Sequence, residues 1–201
     1  MKLRYLHGTM GSMKSSILLM KAYQFEQSGC DILLIKPSFD TRNKEIKSRA
    51  IEKGRECISF DSKVNVKDLI LDIFKTQSSD SKIRRNQKIV LCDEIQFATR
   101  EQIRQLWYLT KYYSIDVYCF GLKLSYQNKL FGAAEELLIL ADTIEEIKSR
   151  CKCGNKATTH LRLINDKVVY EGADTIVGDI QGNERYESVC SKCWHEAPIT
   201  R

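Results

Sequence analysis

Three groups of residues in this chain have the types and the spacing for chemistry. The first is Gly8-Thr9-Met10-Gly11-Ser12-Met13-Lys14-Ser15. Gly8, Lys14 and Ser15 match G-x-x-x-x-G-K-[ST], and Met13 stands at the second glycine. Such a loop points backbone N–H groups into a concave anion site, where the dipole of the following helix also favours negative charge. A lysine there neutralises the β- and γ-phosphates of a nucleoside triphosphate, and the serine hydroxyl ligates Mg²⁺. The plainer alternative is an ordinary turn ahead of a core helix. The second group is Asp93-Glu94, directly after the apolar run Ile89-Val90-Leu91-Cys92. An acid pair at the carboxyl end of a parallel strand lies where open α/β sheets bind ligands. The third is Cys151-x-Cys153 with Cys190-x-x-Cys193. Four thiolates in two knuckles suit a tetrahedral structural Zn²⁺, a closed site with no open position for chemistry. His195 is the alternative to Cys193 as fourth ligand, and two-residue spacing favours Cys193. Four free cysteines are the plain alternative.

The elements that must position these groups follow from apolar patterning. Leu3 to Leu6 reads as a buried strand, and Ile17 to Phe25 as a helix ended by Gly29. Cys30 to Ile35 is a second strand closed by Pro37. Residues 38–57 are polar with little periodicity and predict a mobile segment with some helix. A short strand is expected at Ile58-Ser59-Phe60, and helical spacing at Val66, Leu69, Ile70 and Ile73. A surface loop is expected over 76–87, then the strand ending at Cys92. The next helix starts at Thr99, an N-cap residue, and runs through Ile103, Leu106, Trp107 and Leu109. Asp116 to Gly121 is a further strand. Strands alternating with helices predict an α/β fold with a mostly parallel sheet. Beyond Ala141, Thr158–Leu163 and Val168–Tyr170 read as antiparallel strands joined near Asn165-Asp166. The expected units are therefore 1–141, a nucleotide-binding α/β domain, and 142–201, a smaller zinc-binding one.

A chain of 201 residues, 43% of them hydrophobic, can bury one α/β core and a small appendage. No run spans a bilayer and no signal peptide is evident, so a cytoplasmic protein is expected. That setting argues against disulfides among its eight cysteines. Cys30, Cys57, Cys92 and Cys119, scattered singly, read as small core hydrophobes. His7 and His160 have no partners in sequence and read as structural. The net charge of +6 fits an anionic nucleotide. The basic cluster Lys82 to Lys88 reads as a solvated loop, and no nucleic-acid or membrane partner is expected.

Taken together in this order, these motifs resemble the type II (cellular-type) thymidine kinases over nearly the whole chain. Asp93-Glu94-Ile95-Gln96-Phe97 is similar to the family's D-E-A-Q-F. Gly121 to Gly132, GLKLSYQNKLFG, resembles G-L-D-x-x-F-x-x-x-x-F. Ile180 to Cys190, IQGNERYESVC, resembles I-G-G-x-x-x-Y-x-S-V-C. Lys36-Pro37 with Asp40 and Arg42 resembles the segment after the family's second strand. The resemblance implies a RecA-like α/β domain with helices on both faces, a zinc-bound lasso domain and a homotetramer. It implies transfer of the γ-phosphoryl of ATP to the 5′-hydroxyl of thymidine, giving dTMP for nucleotide salvage and DNA synthesis, with feedback by dTTP. Gly8 to Ser15, with Asp93, Asp40 and Arg42, would bind ATP and Mg²⁺, and Glu94 would be the general base. Met10, Phe97, Leu122, Tyr126, Phe131, Ile180, Gly182 and Tyr186 would line the thymidine site, under a lid formed by loop 171–185. Cys151, Cys153, Cys190 and Cys193 would hold Zn²⁺. The chain departs from the pattern at Met13, at Gln181 in place of the first I-G-G glycine, and at Asp179 in place of a valine. Two other readings stay open here: a nucleic-acid-dependent ATPase with a zinc ribbon, and a non-catalytic nucleotide-binding relative.

Overall fold

The computed structural model describes residues 1–37, 45–48, 51–78, 86–172 and 183–198. In chain order the first unit comprises β1 (Leu3–Gly8), α1 (Lys14–Gln27), β2 (Asp31–Pro37), β3 (Glu45–Ser48), β4 (Ile51–Glu56), β5 (Ile58–Phe60), α2 (Val66–Ser78), β6 (Lys88–Cys92), α3 (Arg100–Tyr112), β7 (Ile115–Gly121), α4 (Gly132–Leu140) and β8 (Thr143–Ile147). Six of the strands form one sheet in the order β5-β2-β6-β7-β1-β8. Every pairing in it is parallel. All strand carboxyl ends therefore open on one edge, and the turns after β1 and β6 both emerge there. β7 lies between those two strands.

The central strands are short apolar runs because both faces are covered. Leu3, Tyr5, Leu33, Ile35, Val90, Cys92, Val117 and Cys119 pack with α2, α3 and α4. The alternate residues Leu6, Leu34, Ile89, Leu91 and Phe120 pack with Leu18, Leu19 and Ala22 of α1. This is the expected α/β architecture, with helices on both faces. The N-cap at Thr99 is also as read. Its hydroxyl accepts from Gln102 N (3.1 Å), and Gln102 Oε1 accepts from Thr99 N (3.0 Å), a reciprocal capping box. Among the described residues, no helix is long and apolar enough to cross a membrane.

One expectation needs correction. The described part of 38–57 is an antiparallel ribbon of β3 and β4, with a register irregularity between Ile46 and Ser48. Its one deeply buried anchor, Ile46, packs against the α1 side of the sheet. Ile51 packs there too, half-buried, and two scattered anchors leave no periodicity for a sequence reading to detect. β8 pairs with β1 from Arg4↔Thr143 to Gly8↔Ile147, so the first sheet runs to Ile147, one strand beyond Ala141. Thr-Ile-Glu-Glu-Ile is mostly polar because it is an edge strand with exposed glutamates.

The remaining elements are β9 (Ser149–Arg150), β10 (Lys156–Ala157), β11 (Thr159–Ile164), β12 (Lys167–Val169), β13 (Glu184–Val189) and α5 (Ser191–Glu196). β11 is the centre of a three-stranded antiparallel sheet, between β12 and β13. The turn expected near Asn165-Asp166 is there, with both residues at positive φ (50° and 63°), as a two-residue hairpin turn requires. The core of this unit is small: Ala157, Leu161, Leu163, Val168 and Val189, with Cys151 and Cys190.

Candidate active site

The Gly8–Ser15 loop joins β1 to α1 at the carboxyl edge of the sheet. A Cβ at Gly8 would collide with Ser12 Oγ and come within 2.6 Å of Ile147 O, so only glycine fits there. Gly11 and Met13 both take left-handed backbone conformations, with φ of 73° and 65°. Met13 is the N-cap of α1, and its side chain is 61% exposed. The loop thus makes its turn with a methionine and sends the side chain outward. Lys14 is buried, and its Nζ donates to Thr9 O (2.7 Å) and Gly8 O (3.4 Å). Burial lowers the Lys14 pKa, while the Glu94 and Asp93 carboxylates oppose that shift. Ser12 Oγ is buried without a hydrogen-bond partner.

Asp93 and Glu94 follow β6 on the same edge. Ser15 Oγ donates to Asp93 Oδ2 at 2.7 Å, while Asp93 Oδ1 is buried without a partner. Burial, then the neighbouring Glu94 charge, pushes the Asp93 pKa up to about 6. A buried carboxylate with one oxygen unpaired, beside a serine hydroxyl, is an oxygen donor set that fits a small hard cation. Glu94 is left-handed (φ 51°) at the head of a 3₁₀ turn, Ile95–Phe97. Non-glycine residues at such angles cluster at functional sites. Gln96 Nε2 donates to Glu94 Oε2 at 2.5 Å, and Gln96 Oε1 accepts from Leu122 N at 3.0 Å. Tyr5 OH donates to Leu122 O at 3.0 Å, so both backbone groups of Leu122 are held. A Cβ at Gly121 would come within 2.6 Å of Gln96 Oε1, which ties this glycine to the buried amide.

The described apolar residues expected at the substrate site fall into two pairs and two singles. Phe97 and Phe131 meet edge to face at 6.4 Å between ring centroids. Tyr126 and Tyr186 do so at 6.3 Å, bringing the segment after β7 onto β13. Leu122 sits on Gln96 and Tyr5. Met10 is held by the second unit: its N–H donates to His160 Nε2 (2.8 Å), and its carbonyl accepts from Ser188 Oγ (2.7 Å). Thr9 Oγ1 also hydrogen-bonds Ser149 Oγ. Arg162 pairs with Glu184 (2.9 Å), reaches Tyr126 OH (3.4 Å), and lies with its guanidinium carbon 5.3 Å from the Tyr126 ring centroid. Asp40, Arg42, Ile180 and Gly182 lie outside the described residues, as do Asp179, Gln181 and most of loop 171–185.

The Sγ atoms of Cys151, Cys153, Cys190 and Cys193 lie within 4.8 Å of one another. Tetrahedral sulfur ligands about 2.3 Å from a metal stand about 3.8 Å apart, and Cys153 and Cys190 are 3.6 Å apart. The donor set fits a soft-ligand metal ion. His195 is no part of the cluster; its ring packs against Trp194. Cys193 enters the cluster because Cys190 caps α5, accepting from Cys193 N.

Gln96, His160, Ser188 and Arg162 contact the candidate site residues and are not among those expected from sequence. Gln96 stood within a quoted motif, but its amide contacts join residues that only the fold brings together. Ser188 is the serine of the segment resembling Y-x-S-V-C, but nothing in that segment points to Met10, and His160 has no sequence signal, because the partner of each is more than 140 residues away.

A family model described as thymidine kinase matches residues 1–194. The chain is 36% identical to a protein named thymidine kinase from Rhodopirellula baltica, over all of this chain and 90% of that one. It is 36% identical to one so named from Streptococcus thermophilus, over 100% and 96% of the two chains. The thymidine kinase of Enterobacteria phage T4 is 33% identical, over 96% and 94%.

Proposed function

The chain belongs to the thymidine kinase family, and from that premise we propose that it transfers the γ-phosphoryl of ATP to the 5′-hydroxyl of thymidine. The observation that carries the reading is the meeting of Lys14, Ser15, Asp93 and Glu94 on one edge of the sheet. Loop N–H groups and Lys14 take the phosphates, Lys14 exchanging its carbonyl partners for them. Ser15 and Asp93 would hold Mg²⁺, Asp93 Oδ1 being buried without a partner. When bound, the ion neutralises charge on the phosphate oxygens. Phosphoryl transfer has a loose transition state, so positioning outweighs strong deprotonation. As the 5′-oxygen bonds to Pγ, the bond from Pγ to the bridging oxygen of ADP breaks, and Glu94 accepts the hydroxyl proton. Gln96 holds Glu94 in place for this. Asp40 and Arg42 are assigned to the ATP side from the family pattern alone.

The thymine base is assigned to the space between Met10, Leu122, Phe97–Phe131 and Tyr126–Tyr186, with Ile180 and Gly182 supplied by the lid. The cysteine cluster is assigned to one structural Zn²⁺, worth about 10–16 kcal/mol in small zinc modules. The working boundary between the nucleotide-binding unit and the zinc-binding lasso unit is set after Ile147. dTTP joins the two substrates' recognition elements in one molecule, which supports it as a feedback ligand. Exposed Met20 and Tyr23 on α1 offer apolar surface for self-association, in keeping with a homotetramer. A cytoplasmic location is retained from the sequence.

A radiolabelled phosphate-transfer assay over a panel of nucleosides tests the reading. Label should pass to thymidine, with deoxyuridine and analogues ranking its base preference. Zinc-loaded protein that phosphorylates no pyrimidine nucleoside would overturn it.

A further inference from the structure

The contacts on Met10 come from directly opposed residues of the second unit. His160 on β11 and Ser188 on β13 are register partners. Cross-strand partners project on the same face of the sheet, so one acceptor and one donor stand side by side. They take the N–H and the C=O of a single loop residue, as a neighbouring strand would. His160 is 3% exposed. Burial, aided by the Lys14 charge, pushes its pKa down to about 4, so the ring is neutral at physiological pH and Nε2 can accept. Ser188 is two residues from Cys190, and β13 runs directly into that cysteine. The metal cluster therefore anchors the strand that grips the loop.

We propose that His160 and Ser188 are positioning residues that clamp Met10, so that metal binding by the four cysteines fixes the geometry of the phosphate loop. For its catalytic half this rests on the nucleoside kinase reading above. The clamp makes the second unit a wall of the phosphate site as well as the base site. Loss of either contact frees the Met10 peptide, disturbing the loop N–H groups beside it and the Met10 side chain facing the base.

The test compares His160→Leu, which cannot accept a hydrogen bond, with His160→Gln, which can, and with Ser188→Ala. Each is checked for zinc content and cooperative unfolding. Amide exchange of the peptide spanning residues 8–13 is followed by mass spectrometry, with and without chelator. The Met10 amide should exchange at least tenfold faster in His160→Leu and in chelated native protein, and near the native rate in His160→Gln. In steady-state assays kcat/KM for thymidine should fall at least tenfold in His160→Leu and about threefold in Ser188→Ala, with substantial recovery in His160→Gln. Native exchange rates in zinc-loaded His160→Leu would overturn the clamp. Faster exchange with unchanged kcat/KM would overturn its catalytic role. The exchange readout needs no activity, so it stands apart from a failure of the kinase reading. If His160→Leu does not fold, Ser188→Ala and chelation of the native protein decide the same question.

Discussion

Met13 carries a left-handed turn that a glycine usually takes, and it does so with its side chain in solvent. For an L-residue that conformation costs about 1–2 kcal/mol. Glycine would remove the strain but add about 0.5–1 kcal/mol of backbone entropy cost. Met13→Gly should therefore stabilise the protein by about 0.5–1 kcal/mol in urea unfolding, with turnover within about twofold of native. A several-fold rise in turnover would mean that the methionine distorts the loop. Gln96 is the other residue whose role rests on geometry. Its amide grips Glu94, and a hydrogen bond to a charged group contributes about 1.5–3 kcal/mol. Gln96→Leu should lower kcat by about 10–100-fold while leaving KM for ATP near native. An equal loss in both parameters would show that the substitution damages the sheet edge and not the base.

At the scale of elements, β11 and β13 do more than close a small core. They present His160 to the phosphate loop in a form that must stay neutral, which links folding to pH. The ring's pKa is lowered from 6.5 to about 4. Between those values the unfolded chain binds a proton that the folded chain does not, so stability rises with pH across the window and is lost on acidification. The full difference is about 3 kcal/mol. The unfolding free energy of native protein minus that of His160→Gln should therefore decrease by up to that amount from pH 7 to pH 4. A flat difference would mean that His160 titrates normally. α3 shows the opposite case of an element set locally, since the Thr99–Gln102 capping box is complete within its own first turn.

Across the whole molecule, several contacts link the cysteine cluster to the carboxyl edge of the first sheet, and two of them start from its second cysteine pair. One runs from Cys190 through Ser188 to Met10. The other runs from Trp194, whose Nε1 donates to Tyr126 O (3.0 Å), into the segment after β7. Cys190→Ser or chelation should loosen both routes. Thymidine affinity should then fall at least about fivefold more than ATP affinity, since the base site loses its walls from the second unit, while the phosphate loop loses the Met10 clamp but keeps Lys14 and Ser15 on α1. Equal losses by calorimetric titration would indicate global unfolding instead.

The sequence by itself determined whatever depends on near neighbours. Gly8 with Lys14-Ser15, the apolar run ending in Asp93-Glu94, the Thr99 cap and the paired cysteines each state their chemistry within a few residues. Buried strands were legible because both faces must be apolar. The tertiary structure alone decided what depends on distant partners: the recruitment of polar β8 to the edge of β1, the β3–β4 ribbon, Gln96 between Glu94 and Leu122, and His160 with Ser188 on Met10. A hydrogen bond across more than a hundred residues asks of each partner only one polar atom in the right place. A motif can contain such a residue, as with Gln96 and Ser188, but nothing local says what its atom will meet until the fold has brought the partner to it.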